Sequence, residues 1–350
     1  MNYFIFISLG FFTIALVLIL YVLLSATIKK SRRRKRAKWK NMCDLVVRNA
    51  IFSESRQPNE PIRITLRMQK LLGNRNFRKL LTHRLLVARK NILGPSSLPL
   101  KHLYLQLGLD QYALKQLMGP HWHRKAMALQ EIGLMDLKDL LAKIYRYSNH
   151  KNELVRGEAQ VAIIKLYGFE GLRFLDVISY QLTSWQQIKL LNELSLLPAE
   201  NFNGIEKWMQ STNWSVVLFS LKLAGTYRRF ELYSYVLPHL ESPEENIRLE
   251  AINCLRKWES EESMKYLLMF FPQETLTNQL AIARAFQFIA TREDIPQLIE
   301  LLSTPHNELR RSLIRSIAKI DMDTFRNLKQ AEMTDSVLLS IIQQVEGEQV

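Results

Sequence analysis

One stretch of the sequence recurs with the same layout, and this repetition most constrains what the chain can fold into. In residues 152–166 (NELVRGEAQVAIIKL), Val155 is followed by Arg156, and small or apolar residues stand four, seven, eight and eleven positions after Val155. Two further copies begin at Ile247 and Leu309, and an arginine follows each of them. This spacing places the small and apolar residues on one face of a helix.

Weaker copies extend the pattern to seven units. The same template gives unit starts at residues 122, 155, 185, 214, 247, 278 and 309, which are 29 to 33 residues apart. A period in this range is typical of a stacked repeat array. Between the starts, shorter amphipathic runs open with an acidic residue at Asp136, Glu170, Glu231, Glu262 and Asp294, which suits the positive end of a helix dipole. Each unit is therefore predicted to be a pair of helices.

The repeats resemble those of the HEAT-repeat family in its short bacterial form. The residues that carry this resemblance are Val155, Arg156, Glu158, Ala159, Ile247, Arg248, Glu250, Ala251, Leu309 and Arg310. The resemblance covers roughly residues 120–330, and it is weak at 185 and 214, where the arginine and the small residue are missing. It implies an armadillo-like helical fold, an α-α superhelix, whose surface binds other proteins.

The N-terminus carries a long uncharged stretch. Residues 3–28 contain no charged side chain and are mostly Leu, Ile, Phe and Val. At about 1.5 Å per residue, a helix of this length exceeds a bilayer core of about 30 Å. A signal peptide would have a basic leader and a shorter apolar core. The sequence therefore predicts a retained single-pass transmembrane helix in residues 1–28.

A dense basic segment follows the apolar stretch. Its cationic residues are Lys29, Lys30, Arg32, Arg33, Arg34, Lys35, Arg36, Lys38 and Lys40. Positive charge next to a membrane span stays cytoplasmic. The predicted location is therefore the bacterial inner (plasma) membrane, with the N-terminus outside and the C-terminal domain in the cytoplasm. These nine side chains are expected to contact anionic lipid at the membrane surface.

The net charge of +15 is concentrated in one region. Residues 29–92 hold 20 Lys and Arg against 3 Asp and Glu, which is +17, so the rest of the chain sums to −2. The nearly neutral repeats argue against nucleic-acid binding by the whole protein. Residues 63–92 either lie on the membrane as an amphipathic helix or pack on the first repeat.

The predicted fold class is all-α, an N-terminal single transmembrane helix followed by a HEAT-like α-solenoid. The predicted domains are a transmembrane anchor (1–28), a basic juxtamembrane neck (29–62), a helical capping region (63–120), about seven HEAT-like helical pairs (121–335) and a C-terminal cap with a frayed tail (336–350).

The sequence contains no pattern that indicates chemistry. Cys43 and Cys254 are far apart, and no zinc-ligand spacing or glycine-rich phosphate loop occurs. His121 and His123 form the one close histidine pair, and no cysteine or carboxylate stands near it with matching spacing. We therefore expect no catalytic residue, no cofactor, no metal and no small-molecule substrate.

Three tryptophans stand at the first position of a repeat. Trp122, Trp185 and Trp214 occupy the place that Val155 and Ile247 occupy in the strong copies. Although Trp is favoured at protein interfaces, this position predicts that the three side chains pack in the core or between repeats.

The predicted function is that of a non-catalytic scaffold or adaptor that binds partner proteins at the inner membrane. Resemblance to bacterial membrane-anchored HEAT proteins suggests envelope or exopolysaccharide synthesis. Two alternatives stay open. One is an accessory subunit of a membrane enzyme complex, and the other is binding of anionic lipid or nucleic acid through residues 29–92.

Overall fold

Helices make up all of the regular structure in the described part of the computed structural model. It describes residues 2–52, 61–92, 94–197, 203–331 and 336–348, without the side chains of 2–11, 13–15, 95 and 329–331. Within these ranges there is no strand, so the all-helical prediction is confirmed. The chain divides into two compact units, Met1–Leu166 and Tyr167–Val350.

The first unit begins with one long helix and continues with shorter ones. The helices are α1 (Asn2–Ile51), α2 (Leu66–Leu72), α3 (Arg75–Asn91), α4 (Leu98–Gln106), α5 (Leu109–Met118), α6 (Trp122–Leu134), α7 (Leu141–Tyr145) and α8 (Glu153–Tyr167). Short 3₁₀ turns precede α4 at Pro95–Ser97 and α7 at Lys138–Leu140.

The end of α1 packs on α3. Cys43 and Ala50 are fully buried there, and the ring of Trp39 meets that of Phe77 edge-on at 5.6 Å. The Arg84 guanidinium donates to the Asp44 carboxylate, with Nη2 and Oδ2 2.6 Å apart. The last turns of α1 therefore belong to the first unit.

The prediction of a transmembrane anchor in residues 1–28 is corrected here. Among the described residues, no helix contains a stretch long and apolar enough to cross a membrane. α1 runs without a break into the charged segment 29–40, and the described apolar side chains ahead of it are Phe12 and those from Leu16 onward. The rest of the predicted span, 1–11 and 13–15, lies outside the described side chains.

Two further predictions depended on that anchor. The fold class is corrected to an all-helical, solenoid-like fold, in which no helix of the described residues is fit to span a membrane. The single-pass inner-membrane location, with the N-terminus outside, is corrected with it.

The second unit alternates long and short helices. Its helices are α9 (Ser184–Ser195), α10 (Ile205–Met209), α11 (Trp214–Thr226), α12 (Tyr233–Val236), α13 (Glu245–Trp258), α14 (Glu262–Phe270), α15 (Leu276–Ile289), α16 (Ile295–Glu300), α17 (Asn307–Ile320), α18 (Met322–Ala331) and α19 (Ser336–Glu348). The 3₁₀ turns are Gly168–Asp176, Phe230–Leu232, Leu237–Glu241, Phe271–Gln273, Arg292–Asp294 and Leu301–Ser303.

The long helices follow the period of the sequence. The helices α6, α8, α9, α11, α13, α15 and α17 begin at, or up to two residues before, the seven predicted unit starts. Local capping supports several starts, since Thr183, Asn213 and Thr275 each accept a backbone N–H of the first turn. The second helices are shorter than predicted, because 3₁₀ turns replace part of their length.

Small residues allow neighbouring long helices to approach closely. A Cβ added to Gly133 in α6 would lie 3.0 Å from Ala162 Cα in α8, and one added to Gly225 in α11 would lie 3.1 Å from Cys254 Cα in α13. Both glycines stand eleven residues after a unit start, and both partners stand seven residues after theirs. The small positions of the repeat are therefore helix-packing positions.

We expect Gly225→Ala to destabilise the protein by about 1 kcal/mol, although alanine favours a helix by nearly as much. The new methyl group would lie 3.1 Å from Cys254 Cα and would have to push the backbone of α13 away from α11. The matched control is Gly347→Ala in α19, where an added Cβ meets nothing within 4 Å. That change is expected to stabilise slightly. Thermal unfolding of both variants tests the difference in sign, and stabilisation by both would show that the helices tolerate a wider spacing.

Candidate functional site

The apolar residues of the repeat signature are packing residues. Val155 and Ala159 in α8, Ile247 and Ala251 in α13, and Leu309 in α17 are all buried. None of these five side chains is available to a partner.

The signature arginines serve the backbone. Each donates to carbonyl oxygens five to eight residues earlier, in the turn that leads into its long helix. The bonds run from Arg156 Nη1 to His150 and Lys151 (3.3 and 3.2 Å), from Arg248 Nη1 to Ser242 and Pro243 (2.9 and 3.3 Å), and from Arg310 Nε to Leu302 and Thr304 (3.1 and 2.7 Å). Carbonyls at the end of a helix lack intrahelical partners, and a guanidinium satisfies several at once. Because the arginine makes the same kind of bond in three repeats, we assign these arginines a structural role.

Arg248 also joins two repeats. Its Nε and Nη2 donate to Oε1 and Oε2 of Glu274 at 2.7 and 3.1 Å. The Glu274 side chain is only 4% exposed, and it also accepts a bond from Asn278 Nδ2 at 2.8 Å. The bond to Glu274 raises the pKa of Arg248. This bidentate pair fixes α13 against the start of α15.

The signature glutamates are half-buried. Glu158 lies on α8 and Glu250 on α13. Burial raises the pKa of Glu250, and the nearby charges of Lys222 and Lys257 partly offset this rise.

The basic segment 29–40 is exposed along α1. All nine of its Lys and Arg residues have exposed side chains, and Lys35 Nζ lies 5.0 Å from the centre of the Trp39 ring. The structure brings no ligand-binding group to this segment within the described residues. Lipid or nucleic-acid contact by these side chains stays a prediction.

The helix α3 packs within the first unit instead of presenting a free apolar face. Its residues Phe77, Leu81 and Leu85 are fully buried. Arg84 pairs with Asp44, and Arg89 Nε donates to the carbonyl of Leu134 at 3.2 Å. Of the two arrangements considered for residues 63–92, packing on the first repeat is the one observed, and part of the basic charge is used internally.

The tryptophans at the repeat starts are not in the core. The exposed fractions are 47% for Trp122, 72% for Trp185 and 38% for Trp214. In α6 and α11 the tryptophan is the first residue of the helix, and in α9 it is the second, so it lies at the helix end and beside the packed face. By contrast, Trp208 and Trp258 are buried. The expectation of core packing is contradicted for these three side chains, whereas their packing between repeats stays a prediction.

A buried carboxyl lies between α4 and α6. Glu131 accepts a 2.7 Å hydrogen bond from the Tyr104 hydroxyl, and both side chains are buried. Burial raises the pKa of Glu131 to about 7, although the bond from Tyr104 opposes the rise. Glu131 was not predicted as a buried carboxyl from the sequence, because it stands in the weak copy of the repeat that starts at Trp122.

A hollow with an excess of basic groups opens at the ends of the long helices of the second unit. It measures about 330 Å³ and is lined by Gly225, Thr226, Arg228, Arg256, Lys257, Glu259 and Phe288. Lys319 Nζ lies 3.8 Å from the centre of the Phe288 ring. We call this site the basic hollow. In the sequence, this site is indicated only by the basic residues in the last turns of α13 and α17.

A larger groove lies along the short helices of the same unit. It measures about 850 Å³ and lies between α14 and the start of α16. Met264 and Met269 contribute apolar surface, while Lys265, Glu293 and Asp294 contribute both signs of charge. The mixed lining indicates no ligand class.

The cysteines and histidines form no reactive centre in the part of the chain that the structure describes. Burial raises the pKa of the Cys43 thiol to about 12, and it also raises that of Cys254, so both thiols are protonated at neutral pH. The rings of His121 and His123 are 5.6 Å apart. Among the described residues, no three His, Cys, Asp or Glu side chains are placed to hold a metal ion.

Comparison with known proteins defines the fold. No protein-family model matches the chain, and neither does any curated protein. A solved structure of a Kap121p mutant matches 79% of the chain with a TM-score of 0.52 and 13% sequence identity. The match spans 37% of the length of Kap121p. The structure of an engineered protein also matches. The match covers 80% of this chain and 87% of the engineered protein, with a TM-score of 0.40 and 15% sequence identity.

At this level of identity, the likeness to Kap121p shows the fold alone. The chain has a helical repeat, solenoid-like fold. The predicted helical repeats are therefore confirmed, whereas membership of the bacterial HEAT family stays a prediction.

Proposed function

We propose that the chain is a non-catalytic scaffold whose helical repeats bind partner proteins. The observation that carries this proposal is the fold itself, a stack of helix pairs whose apolar signature residues pack in the core and whose signature arginines bond to the turns before the long helices. In such arrays each repeat contacts its neighbours, and the outward side chains form an extended binding surface.

The surface of the second unit offers suitable anchors. Trp185 is 72% exposed on α9, with Ile188 exposed on the same helix and Leu196 exposed directly after it. On α13, α15 and α17, the residues Arg256, Phe288 and Lys319 reach solvent. Trp and Arg are enriched among the side chains that dominate protein–protein binding energy. A role in envelope or exopolysaccharide synthesis stays a prediction.

We expect photo-crosslinking to map the bound partner to the long helices. A photoreactive amino acid would replace Arg284 on α15 in the full-length chain, expressed at its natural level. The control position is Gln297 on α16, because both side chains are exposed and both helices belong to one repeat. Discrete protein adducts are expected from position 284 and few from 297.

The stoichiometry of the purified adducts separates two forms of the proposal. A partner in fixed ratio that carries an enzymatic activity identifies an accessory subunit, whereas several partners in variable ratio identify an adaptor. The absence of protein adducts at both positions would contradict the scaffold proposal. Equal labelling of abundant proteins at both positions would contradict it as well.

A further inference from the structure

We propose that the basic hollow binds an acidic segment of the partner protein. This inference rests on the proposed scaffold function and adds the place and the chemistry of binding. Its basis is that four cations, from the turn after α11 and from α13 and α17, lie near the ring of Phe288 on α15.

The hollow collects residues that are distant in sequence. Arg256 and Lys257 come from the last turn of α13, and Phe288 comes from the last turn of α15. Arg228, just after α11, also lines the hollow. Lys319, at the end of α17, covers the Phe288 ring at 3.8 Å. The hollow therefore presents four cations next to an apolar surface.

The cations outnumber the carboxylates around them. Glu259 is the acidic residue in the lining, and it already pairs with Arg228 at 3.5 Å. The charges of Arg256 and Lys257 also act on the half-buried Glu250, where they oppose the rise in its pKa that burial causes. Within the described residues, Arg256, Lys257 and Lys319 form no ion pair with a carboxylate, while Lys257 Nζ lies 3.4 Å from Thr226 Oγ1. Each helix C-terminus at the hollow adds about half a negative charge. The side chains themselves carry more positive than negative charge, and this excess complements an anionic partner.

The same face already holds one carboxylate. Arg315 lies one turn before Lys319 on α17, and its Nε and Nη2 donate to Glu348 Oε2 at 2.8 and 2.6 Å. Glu348 is the last residue of α19. A carboxylate on a peptide chain is therefore a group that this surface accommodates.

The occupant favoured by these contacts is a polypeptide and not a nucleic acid. Single-stranded nucleic acids bind through bases that stack on open aromatic rings. One face of Phe288 is taken by Lys319. Carboxylates need only the cations, and an apolar side chain between them can contact the exposed part of the ring.

The test is photo-labelling of the full-length chain with a deca-glutamate peptide that carries a photoreactive phenylalanine, followed by mass-spectrometric mapping. Mapping is essential because residues 29–92 carry a net +17 and attract any polyanion. Two variants of equal net charge are compared. Arg256→Glu with Lys257→Glu alters the hollow, and Lys138→Glu with Lys143→Glu alters two exposed lysines of the first unit.

We expect adducts at residues 225–228, 256–259 and 288 in the control pair, and a roughly tenfold loss of them in the hollow pair, since two attractive charges become repulsive. Lys319→Glu should weaken the same adducts, and circular dichroism checks that each variant is folded. Adducts confined to residues 29–92, or equal adducts in both pairs, would overturn the proposal.

Two further outcomes also overturn it. If a thiouridine-containing oligouridylate labels the hollow with the same dependence on Arg256 and Lys257 while the peptide does not, the ligand is a nucleic acid. If the hollow pair still captures its partner through position 284, the scaffold function stands and only the acidic-segment proposal fails.

Discussion

Arg248→Met is expected to lower the free energy of unfolding by about 4 kcal/mol. Removing one partner of a buried ion pair leaves the other charge without compensation, at a cost of about 3–5 kcal/mol. Here the remaining charge is Glu274, whose side chain is 4% exposed. The substitution also releases the carbonyls of Ser242 and Pro243, to which Arg248 donates. Chemical denaturation of both proteins measures the loss.

Two comparisons make this prediction specific. Arg284→Met breaks an exposed contact with Glu308 at 3.6 Å and is expected to cost less than about 1 kcal/mol. The double variant Arg248→Met with Glu274→Met should recover part of the lost stability, because no unpaired charge stays buried. If Arg248→Met and Arg284→Met cost the same, the pair between the repeats contributes no more than a surface contact.

Stability is expected to fall as pH rises from about 4.5 to about 7, because of Glu131. The folded-state pKa of this carboxyl is raised to about 7 by burial, whereas an unfolded glutamate titrates near 4.3. The folded protein therefore holds the proton longer, so rising pH favours the unfolded state across this window. A shift of this size corresponds to a loss of about 3 kcal/mol, complete above pH of about 7.

Glu131→Gln should remove this pH dependence and exceed the wild-type protein in stability above neutral pH. The matched change is Tyr104→Phe, which deletes the hydroxyl that donates to Glu131 at 2.7 Å. Because that bond lowers the folded-state pKa of Glu131, its loss should extend the upper end of the window to higher pH. Thermal unfolding between mildly acidic and mildly basic pH measures both effects. Identical pH profiles of wild-type and Glu131→Gln proteins would contradict the assignment.

The placement of the long helices could be predicted from the sequence to within two residues. The spacing of Val155, Ala159, Ala162 and Leu166 reflects a single helix face, and that face must be buried against a neighbour. The glycine at position eleven and the small residue at position seven of the next unit record how close the helix axes come. Such local patterns persist because each repeat packs mainly on the next one.

Two sequence-based predictions failed. The repeat template placed three tryptophans in the core, and the apolar composition of the N-terminus indicated a membrane span. A tryptophan at a helix end can point toward the core or toward solvent. The period of the repeat gives the position of the helix start and does not distinguish these two directions. The apolar composition of residues 3–28 predicted a membrane span, whereas no helix in the described part of the chain is long and apolar enough to cross a membrane.

The sequence by itself determined the helical repeat, its period, its small packing positions and the concentration of basic charge in residues 29–92, because these depend on spacing along one helix and on composition. Tertiary structure alone decided the rest. Glu131 is buried because Tyr104, 27 residues away, covers it. Arg248 is structural because Glu274 comes from the next repeat. The basic hollow exists because stacking places residues 228, 256, 257, 288 and 319 together. Long-range contacts of this kind depend on how helices stack, which no local pattern encodes.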